Sequence, residues 1–269
     1  MKPEAYRMLS RREGSYWWHR ARRLMAVALL RRHGLAPGGA WLDIGCGPGG
    51  NLSMLGGFRP RIVVGVDLSA VALDLARAKA SHARLVRADI SRGLPFVDGA
   101  FDIATIFNVV YHAWIKSEAA VLAEAFRVVR PGGVMFVTEP AFASLFREMD
   151  VAVMTRRRYR RRAFAEMCRA AGFEVLFTSY FTSFGYPLLL AIKALHRLRL
   201  GWRRAEARAT ADMKPLGPFL NACLYALEAL EARLIGRNVE MPFGTTLVCV
   251  ARRPQAVASA GSSSGAVAE

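Results

Sequence analysis

The sequence is short of acid, of paired cysteines and of long apolar runs, and each shortage removes a class of protein. The four cysteines, Cys46, Cys168, Cys223 and Cys249, stand far apart. They form no paired motif, which argues against a disulfide framework and against a zinc site, and a reducing cytoplasm is the expected compartment. No other metal-ligand spacing is present. No stretch reaches the ~20 apolar residues of a spanning helix. Phe177 to Ile192 comes nearest and is broken by Gly185 and Pro187. Met25 to Leu30 is a short apolar run enclosed by arginines with no small-residue cleavage site behind it, so a signal peptide is rejected. Acidic residues number 21 against 38 Lys and Arg, leaving a formal charge of +17.

That charge is clustered. Arginines crowd the first 32 residues and recur in Arg156-Arg157-Arg158-Tyr159-Arg160-Arg161-Arg162. Such clusters suit an anionic partner: nucleic acid, a phosphorylated substrate or the surface of an anionic membrane. A solvated basic face is the plain alternative. With 269 residues and 53% apolar content the chain can bury a full core, as one large domain with a smaller addition.

The most informative stretch is Trp41-Leu42-Asp43-Ile44-Gly45-Cys46-Gly47-Pro48-Gly49-Gly50-Asn51. An apolar run ending in an acid passes into a glycine-rich turn and then a helical pattern, the form of the first strand-to-helix junction of a doubly wound sheet. Alternating glycines let a ligand approach the backbone, and amides at the following helix start can face its polar end. Arg61 to Asp67 reads as a buried strand with an acid at its tip, placed where nucleotide and adenosine sites hold an acid for the ribose hydroxyls. Ser69 caps the next helix. Strands are expected at 84–89, 101–107 and 134–138, with a helix over 117–129 stopped by Arg130-Pro131-Gly132-Gly133. A helix over 160–171 and a final strand pair at 173–182 and 245–251 complete a mostly parallel sheet.

Two regions lie outside that core. Residues 1–39 read as a helical lid carrying Tyr16-Trp17-Trp18-His19, and 183–243 as a helical insertion. In the insertion, a helix from Pro187 sets Lys193, His196, Arg197 and Arg204 opposite Leu188, Ala191, Ile192, Leu195 and Leu198. A second, about Phe219 to Ile235, has an apolar side of Leu220, Cys223, Leu224, Leu227, Leu230 and Leu234. The pair reads as a cap on the substrate entrance, or the first as a helix lying in a membrane interface. Residues 255–269 are Ala, Ser and Gly-rich and read as a disordered tail; the core then spans 40–182 and 244–254.

Together Leu42 to Gly49, Val64 to Ser69, Ala88-Asp89, Leu94-Pro95-Phe96 with Phe101-Asp102, and Arg127 to Gly133 resemble the class I S-adenosylmethionine-dependent methyltransferases of the broad methyltransferase 11 type. The start Trp17-Trp18-His19-Arg20-Ala21-Arg22-Arg23 resembles a Trp-Trp-x-x-x-Arg-Arg subgroup, as do Pro140-Ala141, Asp150 and Arg157-Arg158-Tyr159. Met154-Thr155 stand where Gly-His is usual, which suggests an altered substrate.

The resemblance implies an α/β, Rossmann-like, mostly parallel seven-stranded sheet with helices on both faces, an antiparallel last strand and a helical insertion before it. Its implied cofactor contacts are the Gly45, Cys46, Gly47 and Gly49 backbone and Asn51 at the methionyl end. Asp43 would order the loop and meet the amino group, Asp67 the ribose. Asp89 and the Ile90 amide would read the adenine edge, and Leu68 would pack on the ring. Asn108 would lie near the sulfonium, with Trp18 and Arg22 closing over the cofactor. Asp89 as a simple helix cap is the plain alternative.

For chemistry, His112 is the first candidate base, since its ordinary pKa suits proton removal near neutrality. A histidine that merely packs against the cofactor or caps a helix is the plain alternative. Tyr111, Glu139 and Tyr159 are further candidates. Trp17, His19, Arg157 and Arg158 are candidate acceptor contacts, the arginines as clamps for phosphate or carboxylate.

The expected activity is methylation at oxygen or carbon of a small, apolar or lipid-linked or phosphorylated acceptor of natural-product or glycolipid type. The expected protein is a monomer or homodimer, with contact to an anionic membrane on its cytoplasmic face open. A nucleic-acid methyltransferase is the alternative. Against it, Asn108-Val109-Val110-Tyr111 stands where an Asn/Asp-Pro-Pro-Tyr/Phe segment would be expected. A non-catalytic S-adenosylmethionine-binding protein, or a nicotinamide enzyme misread from the glycines, is the third reading. The Gly-x-Gly-x-Gly spacing and the Pro131-Gly132-Gly133 turn count against the nicotinamide version.

Overall fold

The computed structural model describes residues 3–34, 38–146, 148–187, 190–191 and 216–255. Two helices, α1 (Pro3–Arg12) and α2 (Trp17–His33), precede strand β1 (Ala40–Ile44). The chain then alternates through α3 (Gly50–Gly56), β2 (Ile62–Asp67), α4 (Ala70–Lys79), β3 (Arg84–Arg87), β4 (Phe101–Phe107), α5 (Glu118–Val128) and β5 (Val129–Pro140). After short α6 (Glu148–Ala152) come α7 (Arg161–Ala170), β6 (Glu174–Phe181), α8 (Pro218–Gly236) and β7 (Thr246–Arg252). The seven strands lie in the order β3-β2-β1-β4-β5-β7-β6. β7 is antiparallel to both its neighbours, and the β1 to β5 pairings are parallel. The direction of winding reverses between β1 and β4, which opens a crevice at the carboxyl ends of those strands.

The pleat decides which residues face that crevice from which side. Along β1, Trp41 packs with α2, α3, α4 and α8 on one face, and Leu42 and Ile44 with α5 and α7 on the other. Every residue of β1 is buried, as a central parallel strand requires. Asp43 follows Trp41 in the period-two alternation and so lies on the α2 face, beside its register partner Thr105. Phe107, two residues beyond Thr105, joins the same core.

Two expectations change here. The Pro131-Gly132-Gly133 turn does not precede the fifth strand but lies within it: β5 begins at Val129. An added Cβ on Gly133 would lie 2.8 Å from the Asp102 carbonyl oxygen, so only glycine lets the two strands stay this close. The second insertion helix turns its predicted face outward. Glu228, Ala229, Glu231, Ala232 and Ile235 of α8 are buried, whereas Leu220, Cys223, Leu227 and Leu230 are exposed, because α8 packs along α2 by small residues. Gly236 fits there only for lack of a side chain: its Cβ would meet Ala28 at 2.5 Å. The helix expected from Pro187, with Lys193 to Arg204, lies largely outside the described residues, as does the tail beyond Gln255.

Candidate cofactor site

The glycine loop divides its labour. Gly45 has φ +71° and faces Val109, which an added Cβ would meet at 2.4 Å; Gly49 has φ +92° and faces the Ala76 backbone at 2.9 Å. Both serve packing. Gly47, with φ +53°, faces open space, and it is the position where a side chain would fill a ligand's place. The loop's amides are already bonded within the protein. Gly45 and Cys46 donate to the Val66 carbonyl at 2.7 and 2.9 Å, Gly47 to the Asp67 carboxylate at 2.9 Å, and Gly49 to the Cys46 carbonyl at 3.2 Å. These bonds tie the loop to β2 and to itself, and side chains around it carry further polar groups.

Two of those side chains stand out. Asp43 is fully buried; one carboxylate oxygen accepts from the Thr105 hydroxyl at 2.7 Å, and the other has no partner. Burial pushes its pKa up to about 7, with the nearby Arg22 guanidinium and the Thr105 bond opposing. Arg22, also buried, lies over the Trp18 and Phe107 rings and has an unpartnered Nε. Desolvation lowers its pKa to about 10. A buried carboxylate and a buried guanidinium thus feel each other's charge without a bond between them. An unpaired buried ion is costly, and a ligand carrying an ammonium and a carboxylate would complete both. The amino-acid end of S-adenosylmethionine is such a ligand, and the residues present fit it.

The ribose and adenine ends are more fully occupied by the protein itself. Asp67 accepts from the amides of Gly47 and Ser69 at 2.9 Å each, and from the Tyr6 hydroxyl of α1 at 3.5 Å. Leu68 is half-exposed beyond it. Asp89 acts as the cap of the short turn 90–92, accepting from the Ser91 amide at 2.9 Å, and Ile90 is buried. Asn51 is buried in the first turn of α3. Asn108 adopts φ +58° at the end of β4, a conformation asparagine tolerates, and accepts from the Thr138 hydroxyl at 3.0 Å.

Sequence reasoning missed Tyr6, Glu13 and Thr105. Glu13 is buried between α1 and α2, bonded to Lys79 of α4, with its carboxylate against Gly50 at the start of α3. Only Thr105 had a signal, as a polar residue inside a mostly apolar strand. The other two lie beside the loop through tertiary packing alone.

Three of the four candidate bases, His112, Glu139 and Tyr159, are held by the protein's own groups, and Tyr111 is buried near Glu139 and Arg22. His112 is stacked between Tyr111 and Trp114, with ring centroids 4.0 Å away on each side. Its Nδ1 donates to the Val153 carbonyl at 3.1 Å, and burial lowers its pKa to about 3. The carbonyl fixes the proton on Nδ1, and an imidazole with that pKa is a weak base at neutrality. Glu139 is fully buried beneath the loop after β4 and accepts from the amides of Val109, Val110 and Tyr111 at 3.0, 2.8 and 3.2 Å. Desolvation raises its pKa to about 8 against those bonds. It organises the backbone rather than facing a substrate. Tyr159 bonds the Val110 carbonyl at 3.2 Å and Glu118 at 3.4 Å, and burial raises both tyrosine pKa values far above the ordinary range.

The acceptor contacts disperse as well. Arg158 forms a buried bidentate pair with Asp150 at 2.9 Å and donates to the Ala141 carbonyl, and Arg157 pairs with Glu118 at 3.0 Å. Arg156 holds the carbonyls of Ile115 and Lys116, and Arg161 pairs with Glu240. Arg156, Arg157 and Arg161 tie this part of the chain to neighbouring elements and Arg158 is engaged within it, so the phosphate clamp expected of Arg157 and Arg158 is corrected. Trp17 and His19, two residues apart, point to different sides of α2. The Trp17 amide donates to Asn221 of α8, whereas His19 lies toward Arg22, Arg23 and Lys79, whose charges add to burial in lowering its pKa.

Sheet order, crevice and paired buried ions define a Rossmann-like domain shaped for an adenosyl amino acid. Residues 42–137 match the family model described as a methyltransferase domain, and the chain carries a class I S-adenosylmethionine-dependent methyltransferase domain. It is 30% identical over 171 residues to a probable S-adenosylmethionine-dependent methyltransferase of Mycolicibacterium smegmatis, a match covering 61% of each chain. It is 36% identical over 137 residues to the malonyl-[acyl-carrier protein] O-methyltransferase of Serratia marcescens, covering 51% of this chain and 52% of that one. The chain thus spans little more than half the length of these relatives. In fold it is similar to the geranyl diphosphate C-methyltransferase of Streptomyces coelicolor, with a TM-score of 0.56 at 16% identity over 85% of this chain and 78% of that one.

Proposed function

We propose that the protein transfers the methyl group of S-adenosylmethionine to a small, apolar acceptor. The carrying observation is the pair of buried, unpartnered ionic groups, Asp43 Oδ2 and Arg22 Nε, on the α2 side of the crevice. When bound there, the cofactor supplies an electrophilic methyl group on its sulfonium, so the protein's own task is orientation and exclusion of water. Asp43 would hold the ammonium and Arg22 the carboxylate of the methionyl end, with Trp18 and Phe107 shielding the guanidinium from solvent. Asp67 would receive the ribose, sharing or giving up its long bond to Tyr6. Leu68 and Ile90 would bound the adenine.

The acceptor reading follows from what the site offers. None of His112, Tyr111, Glu139 and Tyr159 combines a free basic atom with a pKa near neutrality. An acceptor that brings its own nucleophile suits this best: a carboxylate oxygen, which has no proton to lose, or an electron-rich carbon on an acceptor whose own anionic group takes the proton released. The Serratia relative is named for malonyl-[acyl-carrier protein] and the Streptomyces structure for geranyl diphosphate, one of each kind. Apolar support comes from Phe142, which stacks on Tyr180 at 4.6 Å and meets Tyr186 at 5.4 Å beyond the ends of β5 and β6, with Phe243 against Tyr186. A lipid-linked acceptor fits that aromatic row.

The test combines titration calorimetry with S-adenosylhomocysteine and transfer of a radiolabelled methyl group in a cell extract. Binding that is weakened in Arg22→Met, with label in the organic-soluble fraction, supports the reading. Absence of binding sinks it, and label in RNA would replace it with the nucleic-acid alternative.

A further inference from the structure

Helix α8 is inside out by its own sequence. Its two acids, Glu228 and Glu231, are buried, whereas Phe219, Leu220, Leu227 and Leu230 are exposed by 84, 49, 39 and 51%. The inward side is fixed by particular contacts and cannot be rotated away. Glu231 accepts from the amide and hydroxyl of Ser183, and the Trp17 amide holds Asn221. Glu228 Oε2 and the buried Thr182 hydroxyl close by have no hydrogen bond of proper geometry. A helix that buries carboxylates and exposes leucines gains nothing from either choice in water alone. The arrangement makes sense if the outer face meets something that is not water.

The character of that face restricts what it meets. Between Pro218 and Gly236 every acid points inward, and the outward residues are apolar except for Arg233, with Arg237 exposed just past the helix end. Phe184, 50% exposed, follows β6 at the other end of the insertion. The 24 residues 192–215 join that end to the start of α8; by sequence they hold seven Lys and Arg against two acids, together with Leu195, Leu198, Leu200 and Trp202. A second copy of the chain docking by the same face would bring no carboxylate of α8 to Arg233 or Arg237 on either side. The segment 192–215, with seven Lys and Arg to two acids, would meet that face with net repulsion. An occupant both apolar and anionic satisfies every group. No helix among the described residues is long and apolar enough to cross a membrane, so the contact is with a surface.

We propose that the outer face of α8, with Phe184, docks on the interface of a bilayer containing anionic lipid. Phe219, Leu220, Leu227 and Leu230 enter the acyl boundary, and Arg233 and Arg237 meet the phosphates. The inference does not depend on methyl transfer, and its test reads binding alone.

Cys223 lies on this face and is exposed, while Cys46, Cys168 and Cys249 are buried, so a thiol-directed environment-sensitive fluorophore reports from α8 in the full chain. With phosphatidylcholine vesicles containing phosphatidylglycerol, the emission is expected to shift to the blue and rise about threefold, with quenching by spin-labelled lipid. The response should be weak with phosphatidylcholine alone and should fall in about 0.5 M salt. In unlabelled protein, Leu227→Glu with Leu230→Glu should abolish flotation with the anionic vesicles while leaving the melting temperature unchanged. Three results would overturn the proposal: no response of label or flotation to anionic vesicles; a dimer in solution that the double variant dissociates while vesicles have no effect; or a monomer whose label is already blue-shifted and insensitive to vesicles, which would assign the face to residues 192–215.

Discussion

Arg22 of α2 and Asp43 of β1 share one buried space on the same face of the sheet, and each keeps an unpartnered polar atom there. Arg22→Met removes the charge and keeps the packing between Trp18 and Phe107. Affinity for S-adenosylhomocysteine should fall about ten- to a hundredfold, one to two steps of 1.4 kcal/mol. Affinity for methylthioadenosine, which lacks the amino-acid end, should not change. Equal losses for both ligands in calorimetry would show that Arg22 supports the fold rather than the ligand.

Gly47 and Gly45 separate ligand space from packing space. Gly47→Ala places a methyl group in open space at φ +53°, so backbone strain of about 1–2 kcal/mol is expected in the unfolding free energy together with loss of cofactor binding. Gly45→Ala drives its methyl group into Val109 and should prevent stable folding. A Gly47→Ala protein that binds S-adenosylhomocysteine normally would remove the loop from the site.

Arg158 is expected to matter for stability and not for binding. Arg158→Ala removes a buried bidentate ion pair with Asp150, and a loss of stability of a few kcal/mol, at most about 3–5, is expected. Chemical denaturation should show that loss. In any variant still folded, the dissociation constant for S-adenosylhomocysteine should stay at the wild-type value.

His112 should remain neutral through the physiological range. With its pKa lowered to about 3 by burial between two aromatic rings, its ring-proton resonance should not move between pH 5 and 8. A titration centred near 6.5 that disappears in His112→Asn would restore it as a candidate base.

Glu228 sets a pH dependence of the fold. Burial and the neighbouring Glu231 raise its pKa to about 8 from an ordinary 4.5, so the native state holds this proton more tightly than the unfolded chain. Its contribution to stability is complete below about 4.5 and is lost as pH rises through about 8. Glu228→Gln carries no charge at any pH. Its melting temperature should fall less than that of the wild type between pH 5 and pH 9 in scanning calorimetry, and an identical fall would exclude Glu228 as the source.

Strand and helix order was legible in the sequence because it depends on local period. The apolar run before the glycine turn is strand β1, Ala40–Ile44, and Ser69 and Ser117 cap the helices they precede. The glycine loop was legible for the same reason, since a positive φ and a close approach leave few residue choices. Direction was not. α8 carries an apolar stripe that any periodicity argument turns inward, yet the small residues facing α2 and the bonds of Glu231 to Ser183 turn it outward. The arginine run 156–162 reads as a basic patch in one dimension, and only the fold brings Asp150, Glu118 and Glu240 to it.

What the sequence by itself determined is a Rossmann-like sheet with a glycine loop and acids at the tips of its first strands, because backbone geometry and hydrophobic period are properties of neighbouring residues. Tertiary structure decided which ions are satisfied and which are left waiting. Tyr6 and Glu13, 61 and 37 residues from Asp67 and Gly50, come to the loop only through the packing of α1. Asp43 and Arg22 become neighbours only because the pleat of β1 turns the acid toward α2, where burial in a medium of low dielectric makes an unpartnered charge costly.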